Sequence, residues 1–96
     1  MAEVFLCSAA EMEYTNALCW YAERNENAAL EFESEFDRSI REIAAHPNRF
    51  PKCDDRHRFF LMRKYPFQII YRIHDGRLVL IAIAHTSREP NYWANR

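Results

Sequence analysis

Two hydrophobic periods divide the chain, and the switch between them falls just past its middle. Val4 to Cys7 is a short apolar run with a β-branched residue, which predicts a brief first strand. Ser8 follows, with Glu11 three residues on. That is the spacing of a capping box, in which hydroxyl and carboxylate each satisfy a free backbone donor, so a helix is expected to start there. Ala10, Tyr14, Ala17, Leu18 and Tyr21 recur at helical spacing and mark its buried face, and Trp20 lies beside that stripe, covering its edge. The helix is expected to end near Arg24, because Asn25-Glu26-Asn27 reads as a turn in which either asparagine is a ready N-cap. A second helix runs on to Ala45, burying Ala29, Phe32, Phe36, Ile40 and Ile43. His46-Pro47 stops it, since a residue before proline is pushed out of the α region. Two helices joined by so short a turn are expected to lie antiparallel.

Asn48 to His57 reads as a polar loop, and from Arg58 the period becomes two. Arg58–Lys64 predicts a strand, Tyr65-Pro66 a turn and Phe67–Ile73 a second strand. His74-Asp75-Gly76 carries an Asp-Gly hairpin signal. Arg77–His85 is the most apolar strand and is expected at the centre of the sheet. On the strand from Phe67, the set Phe67, Ile69, Tyr71 and Ile73 is expected to face the helices. Gln68, Ile70 and Arg72 form a mixed, half-solvated face that suits a partner. The fold class is therefore α+β, in the order β-α-α-β-β-β: a helical hairpin packed on a small antiparallel sheet, with the place of the first strand left open.

Length allows one domain over residues 1–96. The chain is 49% apolar and 15% aromatic, which argues against disorder. Its longest apolar run, Leu78–Ala84, is too short to span a bilayer as a helix, and the stretch from Met1 to Cys7 lacks the features of a signal peptide. Cys7, Cys19 and Cys53 are odd in number and widely spaced, as reduced cytosolic thiols are, so a cytoplasmic protein without membrane contact is expected. Cys53, Asp54, Asp55 and His57 match no standard metal-ligand spacing and read as a solvated loop; neither metal nor cofactor is expected.

Charge sharpens the picture. The net charge of −1 hides an acidic half, −7 over residues 1–48, and a basic half, +6 over residues 49–96. An acidic helical face and a basic sheet-and-tail face follow, the latter suited to a polyanion. After the last strand, His85 to Arg96 holds a histidine, two arginines, a tyrosine and a tryptophan. Arginine with aromatic side chains grips phosphates and stacks on bases. The structural alternative is that Tyr92 and Trp93 fold back to plug one end of the core while Arg88 pairs with a helical carboxylate, and His85 is a hydrogen-bonded edge residue. No glycine-rich phosphate loop, HExxH or nucleophile beside a recognisable base occurs, which removes kinase, dehydrogenase and common hydrolase chemistries.

These residues also form a familiar series. Trp20-Tyr21 comes late in the first helix, followed by a phenylalanine-rich second helix ending in His46-Pro47, and then by Phe50-Pro51. Arg63-Lys64-Tyr65-Pro66-Phe67-Gln68-Ile69-Ile70-Tyr71-Arg72 comes next, and His85-x-x-Arg88-x-Pro90-x-Tyr92-Trp93 precedes the final arginine. Together they resemble the RelE/ParE superfamily of bacterial toxins, the plasmid-stabilisation proteins. The resemblance implies a cytoplasmic toxin neutralised by a cognate antitoxin, acting either by ribosome-dependent messenger RNA cleavage or on DNA gyrase. Where RNA-cleaving members have an arginine in an Arg-Leu-Val-Tyr type motif, this chain has Gln68, which hydrogen-bonds phosphate without neutralising it. If the chain cuts RNA, Arg63 and Arg88 are the candidates to hold the phosphate, and Tyr92 or His85 to move the proton, a duty for which the tyrosine needs its pKa lowered by its arginine neighbour. Lys64, Gln68, Arg72 and Trp93 are the candidates for partner or RNA binding. The antitoxin is expected on the sheet-and-tail surface over Arg72 and Arg88, and a homodimer is left open. The competing reading is a non-catalytic interaction module derived from such a toxin.

Overall fold

The computed structural model describes residues 3–96; Met1 and Ala2, part of the stretch read for a signal peptide, lie outside them. The elements come in the expected order: β1 Val4–Leu6, α1 Ser8–Arg24, α2 Glu26–Ala45, β2 Arg58–Leu61, β3 Phe67–His74 and β4 Arg77–His85. No helix among the described residues is long and apolar enough to cross a membrane.

The helical hairpin turns on one residue. Asn25 is extended, its N–H donates to the Tyr21 carbonyl to close α1, and its side chain accepts from the N–H groups of Asn27 and Ala28 to open α2. Tyr14 packs against Phe36 and Tyr21 against Phe32, so contacts move down α2 as they move up α1, as an antiparallel pair requires. The capping box does not form. Cys7 is the N-cap, without a side-chain capping bond, and Ser8 is already helical. The cause is the tight exit from β1, where Cys7 N–H donates to the Leu80 carbonyl and Cys7 Sγ to that of Ile81.

The sheet runs β1-β4-β3-β2, with β4 central between β1 and β3. It is mixed rather than wholly antiparallel, because the helical hairpin is a crossover that brings β1 parallel to β4, Val4 beside Leu78. Asp75 and Gly76 both have positive φ, 52° and 73°, the geometry that an Asp-Gly turn provides between β3 and β4. β2 stops at Leu61 instead of Lys64: Met62 N–H turns to the Phe67 carbonyl, and Lys64 takes a φ of 67°, outside strand geometry.

A bulge sets the two faces of β4. Ile70 pairs with Ala82 but Tyr71 with Leu80, so Ile81 is the extra residue and two consecutive side chains, Ile81 and Ala82, face away from the helices. Leu78, Leu80 and Ile83 join Ile69, Tyr71, Phe32, Phe36 and Ile43 in the main core between sheet and helices. Ile73 departs from its expected place and is 43% exposed at the hairpin end, where the cover runs out. The opposite face is half-solvated at Gln68 and Arg72 but closed between them. Ile70, Ile81, Ala82 and Ala84 are sealed under Trp93, itself only 4% exposed. Burying an indole replaces a wet, apolar sheet face with a second small core, and the C-terminal segment is thereby tied down.

Candidate functional site

The C-terminal segment is held by one carboxylate. β1 is three residues long and β4 nine, so beyond Leu80 the outer edge of β4 has no strand partner. Bare backbone groups on such an edge need satisfaction. Glu13, on α1, accepts from Ile83 N–H at 3.0 Å, and Arg96 Nη1 donates to the Ile81 carbonyl at 3.1 Å. The same carboxylate accepts from Tyr92 O–H at 2.6 Å and from both terminal nitrogens of Arg96 at 2.8 and 3.1 Å. Burial pushes Glu13 upward, yet the bonds from Arg96, Tyr92 and Ile83 outweigh it and hold the carboxyl below its usual range. Burial, then the bond to Glu13, pushes the Tyr92 phenol up to about 12 despite Arg88 and Arg96 nearby. The expected lowering is thus reversed.

The predicted site residues divide among several places. A groove of about 350 Å³ between α1 and the β3–β4 end is lined by Glu13, Trp20, Tyr21, Phe67, His85 and Arg88, among others. On its far side a depression of about 150 Å³ brings Gln68, His85, Arg88, Tyr92 and Trp93 together. Arg88 is 54% exposed, lies 3.9 Å from the Tyr92 ring and makes only a long ion pair, 3.9 Å, to Glu13. His85 Nδ1 accepts from Ser87 N–H at 3.1 Å and lies 2.7 Å from Ser87 Oγ, so one ring nitrogen is occupied in shaping the turn after β4. Arg63 and Lys64 line neither surface. They are exposed in the turn after β2, close enough to α2 to add to the lowering of Glu35, which comes chiefly from its bonds with Arg38. Arg72 is elsewhere again, on the wall of a third depression of about 180 Å³ with Lys52, Asp55, Arg56, His57 and Arg58.

That third depression rests on the segment expected to be a solvated loop. It is exposed at Lys52, Asp54, Asp55 and Arg56, yet it is tied down: Lys52 bridges Arg58, Phe59 N–H donates to the Pro51 carbonyl, and Arg58 Nη1 donates to the Phe50 carbonyl at 2.7 Å. Asp54 organises the tip: its Oδ1 accepts from the N–H groups of Arg56 and His57, both at 2.8 Å. The His57 ring then sits with Nδ1 2.9 and 3.0 Å from the two Asp54 oxygens and packs edge-on against Trp93, leaving it 2% exposed. Asp54 is held low first by the backbone bond from Arg56 and next by the His57 ring.

Two residues central to this geometry, Glu13 and His57, were not among the site candidates in the sequence. Glu13 falls between Ala10 and Ala17 on the buried stripe of α1, and a carboxylate placed there needs a partner. His57 was recoverable from Asp54, which has the Asx-turn spacing to Arg56 and so brings the next residue, His57, to the same oxygen.

A family described as the ParE toxin of type II toxin–antitoxin systems, parDE, matches residues 6–90. No curated protein matches the sequence. Among solved structures, one described as the chromosomal ParDE TA system from P. aeruginosa superposes with a TM-score of 0.75 at 13% identity, over 88% of this chain and 96% of that one. At that identity the likeness speaks for the fold, and it agrees with the β-α-α-β-β-β order. The family match reaches from β1 into the C-terminal segment, and on it the chain belongs to the ParE toxin family of type II toxin–antitoxin systems, within the RelE/ParE superfamily.

Proposed function

We propose that this chain is a cytoplasmic toxin that acts by binding DNA gyrase rather than by cutting messenger RNA, and that a cognate antitoxin neutralises it. The observation that carries the choice is the state of Tyr92. Its proton is committed to Glu13 and its pKa is pushed up to about 12, so it is a poor group for proton transfer near neutrality. Arg96 is neutralised by the same carboxylate, position 68 is a neutral amide, and Arg63 lies on another part of the surface from Arg88. A nuclease needs an acid, a base and free cations around one phosphate. An inhibitor that works by occupancy needs only a fixed surface.

The apolar groove beside α1 supplies that surface for the antitoxin. Trp20 is 50% exposed on its rim, under the Arg24 guanidinium at 3.4 Å, and Arg88 stands at its other side. An amphipathic segment with an acidic end fits such a groove. Arg72 faces a different depression, so the antitoxin segment at Arg88 does not need to reach it.

Purified protein added to a gyrase supercoiling reaction and, separately, to translating ribosomes tests the choice. Lost supercoiling or DNA breaks with intact transcripts is the expected result. Transcript cleavage with intact supercoiling overturns the gyrase reading in favour of the nuclease. Normal growth at high soluble expression in a bacterium without the antitoxin sinks both, and leaves the interaction module.

A further inference from the structure

Three side-chain nitrogens among the described residues are buried without a hydrogen-bond partner: His57 Nε2, Arg72 Nε and Arg72 Nη1. Both residues line the same depression of about 180 Å³, between the 48–58 loop and the ends of β2 and β3. Leaving a buried donor unmade costs about 1–3 kcal/mol, and more for a charged group, so folded proteins leave few. Here all three belong to residues that line one depression. We propose that this depression binds a phosphate group.

Charge supports an anion. Four cations line the depression, Lys52, Arg56, Arg58 and Arg72, against the single carboxylate of Asp55. Asp54, held ionised by the backbone of Arg56 and the backbone and ring of His57, adds a second carboxylate nearby, and the cations still outnumber the carboxylates four to two. The four cations belong to the loop, to β2 and to β3, and a phosphate offers more acceptor oxygens than a carboxylate to share among them. At about 30 Å³ per water, the space suits a phosphate and a few waters.

His57 adds a chemical argument. With Asp54 holding the proton on Nδ1, Nε2 is a bare acceptor in the neutral ring and a donor in the protonated one. A phosphate with an ionisable oxygen satisfies either state, by donating P–O–H or by accepting at P–O⁻. The site is separate from the groove and from the Glu13 cluster, and its existence does not depend on the gyrase reading.

The test is a titration followed by amide NMR at constant ionic strength in chloride, using inorganic phosphate, a nucleoside monophosphate, and a short oligonucleotide without terminal phosphates. Saturable shifts confined to residues 52–58 and the end of β3 are expected with phosphate, with a dissociation constant on the order of 1 mM or tighter. Arg72→Met should weaken binding by about tenfold or more, while the remote Arg41→Met should not change it. Tighter binding of the monophosphate marks a free or terminal phosphate as the source, and tighter binding of the oligonucleotide through the same signals marks a nucleic-acid backbone. Absence of saturable shifts in the wild-type protein overturns the proposal whatever the variants do. So does equal affinity for Arg72→Met.

Discussion

Two basic clusters flank the sheet, and they are built on opposite plans. At the open edge of β4, Arg96 and Tyr92 close on Glu13, and Ile83 N–H joins them. At the other end, Arg72 and His57 hold three nitrogens that meet nothing. The first cluster is a clasp that fixes the C-terminal segment; the second is a cavity wall with spare donors. In sequence the two look alike, each an arginine near a histidine and aromatic residues. What separates them is whether a carboxylate from elsewhere in the fold arrives to meet the cation, and only one helix sends one. Trp93 joins the two clusters, next to Tyr92 in sequence and against His57 in space.

Breaking that link should have the largest effect. Trp93→Ala removes a buried indole between two layers and is expected to cost about 3–5 kcal/mol, measured by urea denaturation. A loss below about 1 kcal/mol would mean the C-terminal segment is no plug. Next comes the clasp. Glu13→Ala leaves Arg96, Tyr92 O–H and Ile83 N–H without their acceptor and is expected to cost about 2–4 kcal/mol, with faster amide exchange at Ile83.

That ordering exposes what could be read from the chain alone. Period and turn chemistry carry local structure, so the stripe from Tyr14 to Tyr21, the cap at Asn25, the stop before Pro47 and the Asp75-Gly76 turn were all legible. Pairings over long separations were not. Glu13 meets Tyr92 and Arg96 across more than seventy positions, and no local pattern ties a helical glutamate to a C-terminal arginine. The parallel place of β1 and the bulge at Ile81 share that cause, since both are settled when distant strands meet. The end of β2 was missed for a local reason: Arg63-Lys64 continues a strand-like composition that the left-handed Lys64 interrupts. The composition of the C-terminal segment therefore drew attention to Tyr92 and Trp93, while the direction of the Tyr92 shift depended on a partner the pattern cannot show.

Acid and alkali should both open the clasp, and acid should also loosen the Asp54 turn under the cavity wall. The Glu13 carboxyl is held below its unfolded value, so its stabilising contribution is complete above the ordinary glutamate pKa of about 4.3 and is lost as pH falls through the folded value. The Tyr92 phenol is raised to about 12, so its contribution is present below an unfolded value of about 10 and is lost as pH rises from there towards 12. Stability followed by Trp fluorescence should fall at both limits. Tyr92→Phe should remove its part of the alkaline loss and leave the acid one; an unchanged alkaline limb would show that the bond to Glu13 does not form in solution.

The smallest effect should carry the opposite sign. Arg72→Met removes two orphaned, buried donors and keeps a stem of similar reach, so in phosphate-free buffer the variant should equal or exceed the wild type, within about 1 kcal/mol. A ligand that binds only the folded state then reverses the ranking. With phosphate well above its dissociation constant the wild type gains stability by mass action, about 2.7 kcal/mol at a hundredfold excess, and the variant, binding about tenfold more weakly, gains about 1.4 kcal/mol or less. Thermal melts of both proteins in chloride and in phosphate at matched ionic strength give four midpoints. A crossing between the pairs is the expected outcome. If Arg72→Met is instead destabilised in chloride by an amount like that of Glu13→Ala, Arg72 has a partner in solution, and the two clusters are built on the same plan after all.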